Sequence, residues 1–496
     1  MSPFQKSALS LCISVTLFTP LLAEACTSVI AGKDASASGA LVLSRNEDFS
    51  SNNWAKHLAI YPAVQYKAGD MLTLSNGLKV PAPAKSLRYT AVQDWNAMTV
   101  SNDGKVFEER GVNELNVAMS ATNSAEIDPR ANKADPLVGM GIIEENMTGL
   151  ILSQATSARD AVQRLGDYVT KYGSGETTGV QFADTKEAWY MEIGSGHHWM
   201  AVRVPDDQYV VVANGLRIHG VDLNDTDNVM HSKGLWDFVK TNKLLKNPDT
   251  GNFNFAMAFG KTGDVYNTDR EWLSQKMLTP SLKQRPRQQQ YPLFLKPDHK
   301  IRMTDIASVL RADYRGTELN GKAERPNGVD RNSEAHIIEM YPDMPKELAA
   351  LIWQTPSNVK YSPFIPLFNV MKTVPAAYTK GTDQYDASSA WWVFRELGTL
   401  SSKSVNKSKY QPAVSRLLAT TEANLEQSQS YLNTMLKQLY QKDQKAAIAF
   451  ASDYSNGLLQ SNYDKAVKLR ADIMTDLTRS TEKKYSPEEF KKIQSL

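Results

Sequence analysis

Cysteine is scarce, with only Cys12 and Cys26 among 496 residues, so a disulfide-built scaffold is excluded. Charge of either sign is not in excess. The formal net value is +2 and no Lys/Arg cluster alternates with aromatic residues, so nucleic acid is not an expected partner. No apolar run of about eighteen residues, the length a spanning helix needs, follows residue 25, so no stable membrane insertion is expected. Metal and phosphate motifs are missing too. The seven histidines nowhere form His-Glu-x-x-His, and the adjacent His197 and His198 would point to opposite faces of a strand. Gly260-Lys261-Thr262 lacks the earlier glycine of a phosphate loop, because Phe255 stands there. The calcium-like Asp222-x-Asn224-x-Thr226 has Asp227 in place of the glycine and Lys233 in place of the final glutamate. No cofactor and no metal is expected.

What the chain does have is a leader that ends at a cysteine. Lys6 precedes the apolar run of residues 8–18, which is too short to span a bilayer, and Pro20 ends it. Ala23-x-Ala25 supplies the small side chains a leader peptidase requires, so residues 1–25 read as a signal peptide and the mature chain is expected to be secreted or periplasmic. Cleavage after Ala25 makes Cys26 the first residue, with a thiol and a free α-amine together. A lipidated Cys26 is the weaker reading, since Ala23 and Glu24 do not suit a lipoprotein signal. Once Cys12 has left with the leader, Cys26 has no internal disulfide partner.

Residues 27–32 are small or β-branched, residues 33–39 read as a turn, and Ala40-Leu41-Val42-Leu43 returns as a strand. An antiparallel pair about that turn brings Arg45-Asn46-Glu47-Asp48 back beside Cys26. An arginine there favours the thiolate, and a carboxylate there can hold or orient the amine. Taken without that neighbour, Arg45 and Asp48 read as a surface ion pair in a loop.

Further along, residues 117–123 alternate as a strand with Asn123 at its far end, and residues 135–155 and 157–169 predict two helices. Four strands follow over residues 179–184, 188–193, 198–204 and 209–213, a meander that ends at Asn214. Residues 280–292 read as an exposed crossing, 301–310 as a helix capped near Thr304, and 335–340 as a strand. His336 on that strand reads as a packing residue. No glycine occurs between Gly398 and Gly457. Leu418, Leu425, Leu432, Leu436 and Leu439, then Ala466, Leu469, Ile473 and Leu477, recur at helical spacing and predict helices docked on the preceding domain. Alternating helix pairs and strand runs indicate an α+β fold.

Cys26-Thr27-Ser28 followed by Arg45-Asn46-Glu47-Asp48-Phe49 resembles the PepD-like dipeptidases, N-terminal nucleophile cysteine hydrolases related to penicillin V acylases and bile salt hydrolases. Residues 111–114, 214–218 and 225–228, Ser333-x-x-His336 and Ser389-Ala390-Trp391-Trp392 extend the resemblance, which spans residues 26 to about 400. It implies a four-layer αββα sandwich over residues 26–400 with a helical C-terminal extension over residues 401–496. It also implies hydrolysis of dipeptides or short peptides, with Cys26 as nucleophile, its α-amine as base, and Asn123 and Asn214 near the oxyanion. The site set is thus Cys26, Arg45, Asp48, Asn123 and Asn214. An N-acyl amide hydrolase with the same machinery, or a lipidated binding protein without catalysis, are the competing readings, and a homo-oligomer is compatible with the sequence.

Overall fold

The computed structural model describes residues 26–48, 54–96 and 106–481, together with 488 and 491. The leader expected over residues 1–25 lies outside the described residues.

The chain opens with strands β1 (Thr27–Ala31) and β2 (Leu41–Asp48), then β3 (Lys56–Tyr61), the small hairpin β4 (Met71–Thr73) and β5 (Lys79–Pro81), β6 (Tyr89–Asp94), β7 (Glu108–Asn113) and β8 (Ala118–Ala125). Helices α1 (Pro129–Ala134), α2 (Glu144–Leu152) and α3 (Ala158–Tyr172) come next. They are followed by β9 (Thr177–Ala183), β10 (Ala188–Ile193), β11 (Trp199–Arg203) and β12 (Tyr209–Val212). After β13 (His219–Val221), β14 (Val229–His231), α4 (Leu235–Thr241) and β15 (Phe253–Asn254) come α5 (Phe255–Phe259), α6 (Val265–Leu278) and α7 (Met303–Arg311). Strands β16 (Asn332–Met340), β17 (Ala350–Gln354) and β18 (Ile365–Phe368) then precede α8 (Ala390–Ser401), α9 (Lys403–Asn406), α10 (Gln411–Lys442) and α11 (Gln444–Thr481).

Two large sheets result, one ordered β12-β1-β2-β16-β17-β18 and the other β14-β11-β10-β9-β8-β7-β6-β3. Neighbouring strands in both are antiparallel. The two-residue period of a strand decides what each face packs against. Ile30, Leu41 and Leu43 meet Val112, Ala118 and Tyr190 of the other sheet. Val29, Ala31 and Val42 point the opposite way, onto Ile306 and Val309 of α7 and into a cluster that includes Leu436 of α10 and Ala451 of α11. On the second sheet, Met119, Val180 and Phe182 cluster with Met147 and Ile151 of α2 and with Val162 and Leu165 of α3. The fold is α+β with antiparallel sheets, and the helices that close the chain share its cores. Among the described residues no helix is long and apolar enough to cross a membrane.

Three local expectations need correction. Only α2 lies inside the helix expected over residues 135–155. Asp135 turns its carboxylate to Ser195 and His197 at 2.8 Å each and so N-caps no helix, and the Val138 and Ile142 amides pair with Ser174 and Gly173 instead. The fourth strand of the expected meander leaves it: β11 pairs with β14, while β12 crosses to the other sheet and pairs with β1. Helix α7 starts earlier than Thr304, with Arg302 at its N-cap.

Helix α3 lies so close to β11 that a Cβ on Gly166 would stand 2.2 Å from the Trp199 ring. Helix propensity alone favours alanine there by about 1 kcal/mol, but overpacking costs about 1–3 kcal/mol. Gly166→Ala should therefore lower the midpoint of urea unfolding, and an unchanged or raised midpoint would refute that close contact.

Candidate active site

The opening hairpin does what its turn requires. Thr27 pairs with Asn46 and Ser28 with Arg45, and Ser28 pairs with Val212 on the other side. Continuing that register sets Asn214 across from Cys26. The side chains of Ser28 and Arg45 share the face turned to the second sheet, where Ser28 Oγ donates to Asn123 Oδ1 of β8 at 2.8 Å.

Arg45 is only 1 % exposed, so it is not part of a surface pair. Its Nη2 donates to Cys26 Sγ at 3.1 Å, its Nη1 to Glu109 Oε2 at 2.9 Å, and its Nε to the Thr122 carbonyl at 2.9 Å. Glu109 also takes a hydrogen bond from Lys56 at 2.5 Å, and Lys56 is paired with Asp94 and stands 3.3 Å from Glu47. The five charged side chains are buried together between the sheets. Burial and the neighbouring Glu109 push the Glu47 carboxyl well up, and burial pushes Asp94 up to about 7.

Cys26 is fully buried, and that burial pushes its thiol up to about 12, against the pull of Arg45. Asp48 and Glu47 add to the rise, while a hydrogen bond from the Asp48 backbone opposes it. The Asp48 side chain is buried as well. It accepts from Arg325, from Arg331 at 3.4 Å and from Asn332. Burial raises its carboxyl although three arginines, Arg325, Arg331 and Arg270, pull it down.

The two asparagines differ. Asn123 lies within β8, which runs past it to Ala125. Its Oδ1 is taken by Ser28, whereas its buried Nδ2 has no partner among the described residues. Leaving a buried donor unfilled costs about 1–3 kcal/mol, which an acceptor placed there would recover. Asn214 is held on both sides by Asn267, through 3.0 Å and 2.9 Å bonds, and its Oδ1 accepts from Arg270 at 2.8 Å.

Arg270 was not among the residues read from the sequence. From inside α6 it donates to the Cys26 carbonyl at 2.7 Å, to Thr27 Oγ1 at 3.3 Å and to Asn267 Oδ1 at 2.8 Å. Burial, with Arg325 nearby, lowers its guanidinium to about 9. The one signal for it is that α6 carries a polar run, Asn267-Thr268-Asp269-Arg270-Glu271, with no apolar stripe, and buries all of it. His336 is buried, with Nε2 2.8 Å from Ser120 Oγ and Nδ1 3.0 Å from Glu334, so both ring nitrogens are hydrogen-bonded. Among the described residues no cluster of His, Cys, Asp or Glu could hold a metal ion.

The opening hairpin thus holds a buried thiol against the Arg45 guanidinium. Residues 25–416 match the model of Peptidase family C69, and the chain belongs to that family. It is similar to a probable dipeptidase of Latilactobacillus sakei, 35% identical over 389 residues, covering 76% of this chain and 81% of the relative. A probable dipeptidase of Salmonella dublin is 36% identical over 383 residues, 75% of this chain and 87% of its own length. A dipeptidase of Bifidobacterium longum (strain NCC 2705) is 31% identical over 414 residues, 76% and 77% of the two chains.

With residues ahead of Cys26 still attached, a thiol titrating at about 12 is ionised to only about one part in 10⁴ at pH 8. Iodoacetamide at pH 8 should then label Cys26 at least tenfold faster in urea than in the native full-length chain. The label is read by mass spectrometry on the Cys26 peptide, apart from Cys12. Equal native and denatured rates would contradict this burial.

Proposed function

We propose that the mature chain begins at Cys26 and is a secreted or periplasmic dipeptidase, an N-terminal nucleophile cysteine hydrolase. The observation that carries this reading is the hydrogen bond from Arg45 to Cys26 Sγ at 3.1 Å at the first residue after the expected leader. The face-to-face sheets, with helices on their outer sides, are read as the four-layer αββα sandwich of that class over residues 26–400. The helices after residue 400 are read as an extension docked on it.

In the full-length chain the Cys26 nitrogen is an amide and cannot accept a proton. Cleavage after Ala25 turns it into an amine, whose ordinary pKa of about 7.7–8.0 lies close to the roughly 8.5 of a thiol. The amine takes the Sγ proton, Arg45 balances the thiolate, and sulfur attacks the carbonyl carbon of the dipeptide bond. The oxyanion is received by Asn123 Nδ2, the donor left unfilled, a role typically worth about 3–4 kcal/mol. Asn214 stands with it at the oxyanion, and Arg270, bonded to the Cys26 carbonyl and to Asn214 Oδ1, holds the Cys26 main chain. The protonated amine gives its proton to the leaving amino group, and water, activated by the same amine, cleaves the thioester. Asp48, fixed by Arg325, Arg331 and Asn332, orients the amine.

Arg45→Ala and Asp48→Ala should each reduce dipeptide turnover at least tenfold with the circular dichroism spectrum unchanged. Near-normal turnover in both would remove them from the mechanism. Cys26→Ser should leave little activity. A chain confirmed by mass spectrometry to keep one extra residue ahead of Cys26 should also be inactive, because its free amine is displaced. Dipeptide hydrolysis at near-native rate by that extended chain would overturn the amine as base.

A further inference from the structure

At the turn end of the same hairpin, away from Cys26, lies a cavity of about 510 Å³ between the outer face of the β16–β17 strands and helices α7 and α10. Ser38 of the turn lines it, and none of its lining residues belongs to the site described above. Its polar groups form one ordered chain. Tyr341 Oη donates to Glu339 Oε2 at 2.9 Å, and Trp353 Nε1 donates to the same oxygen at 2.7 Å. The tyrosine has spent its only proton, so its oxygen can only accept from the two side chains hydrogen-bonded to it, the Asn433 amide and the Ser38 hydroxyl. That fixes Asn433 with Oδ1 turned toward Gln429, whose Nε2 donates to it at 2.8 Å. Gln429 Oε1 ends the chain. It is buried and lacks a donor among the described residues, although the Gln429 side chain lines the cavity and is 5 % exposed.

The charges around this unfilled acceptor have a definite sign. Glu426 lies one helical turn before Gln429, on the same face of α10. Among the described residues its carboxylate accepts hydrogen bonds from Thr304 alone, at 2.7 Å and 3.3 Å, which leaves lone pairs for another donor. Burial raises the Glu339 carboxyl, and repulsion from Glu426 adds to the rise. The rim cation, Arg302, is engaged by Asp305 at 2.8 Å and 3.2 Å. Tyr341 and Trp353 supply aromatic walls of the kind that attract cations. The volume is that of a small-molecule pocket.

We propose that this cavity is a second small-molecule site and that it takes an organic ammonium ion, its N–H groups donating to Gln429 Oε1 and Glu426. The cation completes the hydrogen-bond chain that starts at Glu339 and relieves the repulsion between the two carboxylates. This assignment does not depend on the chemistry at Cys26.

The full chain titrated with n-butylammonium chloride tests it, with n-butanol and with KCl at matched ionic strength as controls. Tryptophan fluorescence should change saturably with n-butylammonium alone, and the change should vanish in Trp353→Phe. Gln429→Leu and Glu426→Gln should each weaken the apparent affinity at least tenfold while keeping dipeptide turnover. If Gln429→Leu does not fold, the surface-accessible Glu426→Gln decides. A saturable signal shared by n-butanol or KCl, no saturable signal, or unchanged affinity in the folded variants would overturn the proposal.

Discussion

The guanidinium of Arg45 is the constraint on which the rest of the site depends. It lies on the first sheet and makes its three sets of bonds to Cys26 Sγ, to Glu109 of β7 and to the Thr122 carbonyl of β8. A single planar group therefore ties together the Cys26 sulfur, the two sheets and the strand that carries Asn123. A lysine could not do this, since it offers one point of charge where the arginine offers a fork of donors. Arg45 cannot shift toward one partner without leaving another.

Such a group is costly to bury. Taking ions out of water costs several kcal/mol each, repaid only where every lone pair and proton is matched. Glu109 answers Arg45 on one oxygen and Lys56 on the other. Lys56 in turn has Asp94 and Glu47 within reach, and the raised Glu47 and Asp94 carboxyls reduce the number of full charges between the sheets. A network with this many shared partners holds one arrangement, and holding the arginine in place is what the site needs from it.

How much of this was legible follows from sequence distance. Arg45 and Asp48 could be set beside Cys26 because a hairpin returns the end of its second strand to the start of its first, and the structure pairs Thr27 with Asn46 and Ser28 with Arg45. Asn214 was legible as the residue where an apolar strand stops, although not that its strand leaves the meander to pair with β1. That swap depends on β14 claiming the edge of β11, a contact with no local signature. Glu109, Lys56 and Arg270 were missed for the same reason. Each reads as an ordinary charged residue until strands or helices far apart in the chain converge, and Arg270 meets Cys26 across 244 positions. The helix expected over residues 135–155 shortens to α2 because Asp135 and the Val138 and Ile142 amides find partners at Ser195, His197, Ser174 and Gly173, all distant in sequence.

Arg270 also bears on how the proposed cleavage can leave the site intact. It grips the Cys26 carbonyl at 2.7 Å, and Asn46 Oδ1 accepts the Thr27 amide at 2.8 Å. Both anchors lie on the C-terminal side of the Cys26 nitrogen, as do the Arg45 bond to the sulfur and the β1 ladder. Cutting the bond before Cys26 therefore removes none of them. The new amine appears on a residue whose carbonyl and thiol are already held, so it gains a proton site without the thiol having to find its place again. In such an arrangement the base is created at the moment of cleavage and the rest of the machinery is in position beforehand, with the order imposed by which side of one peptide bond the anchors occupy.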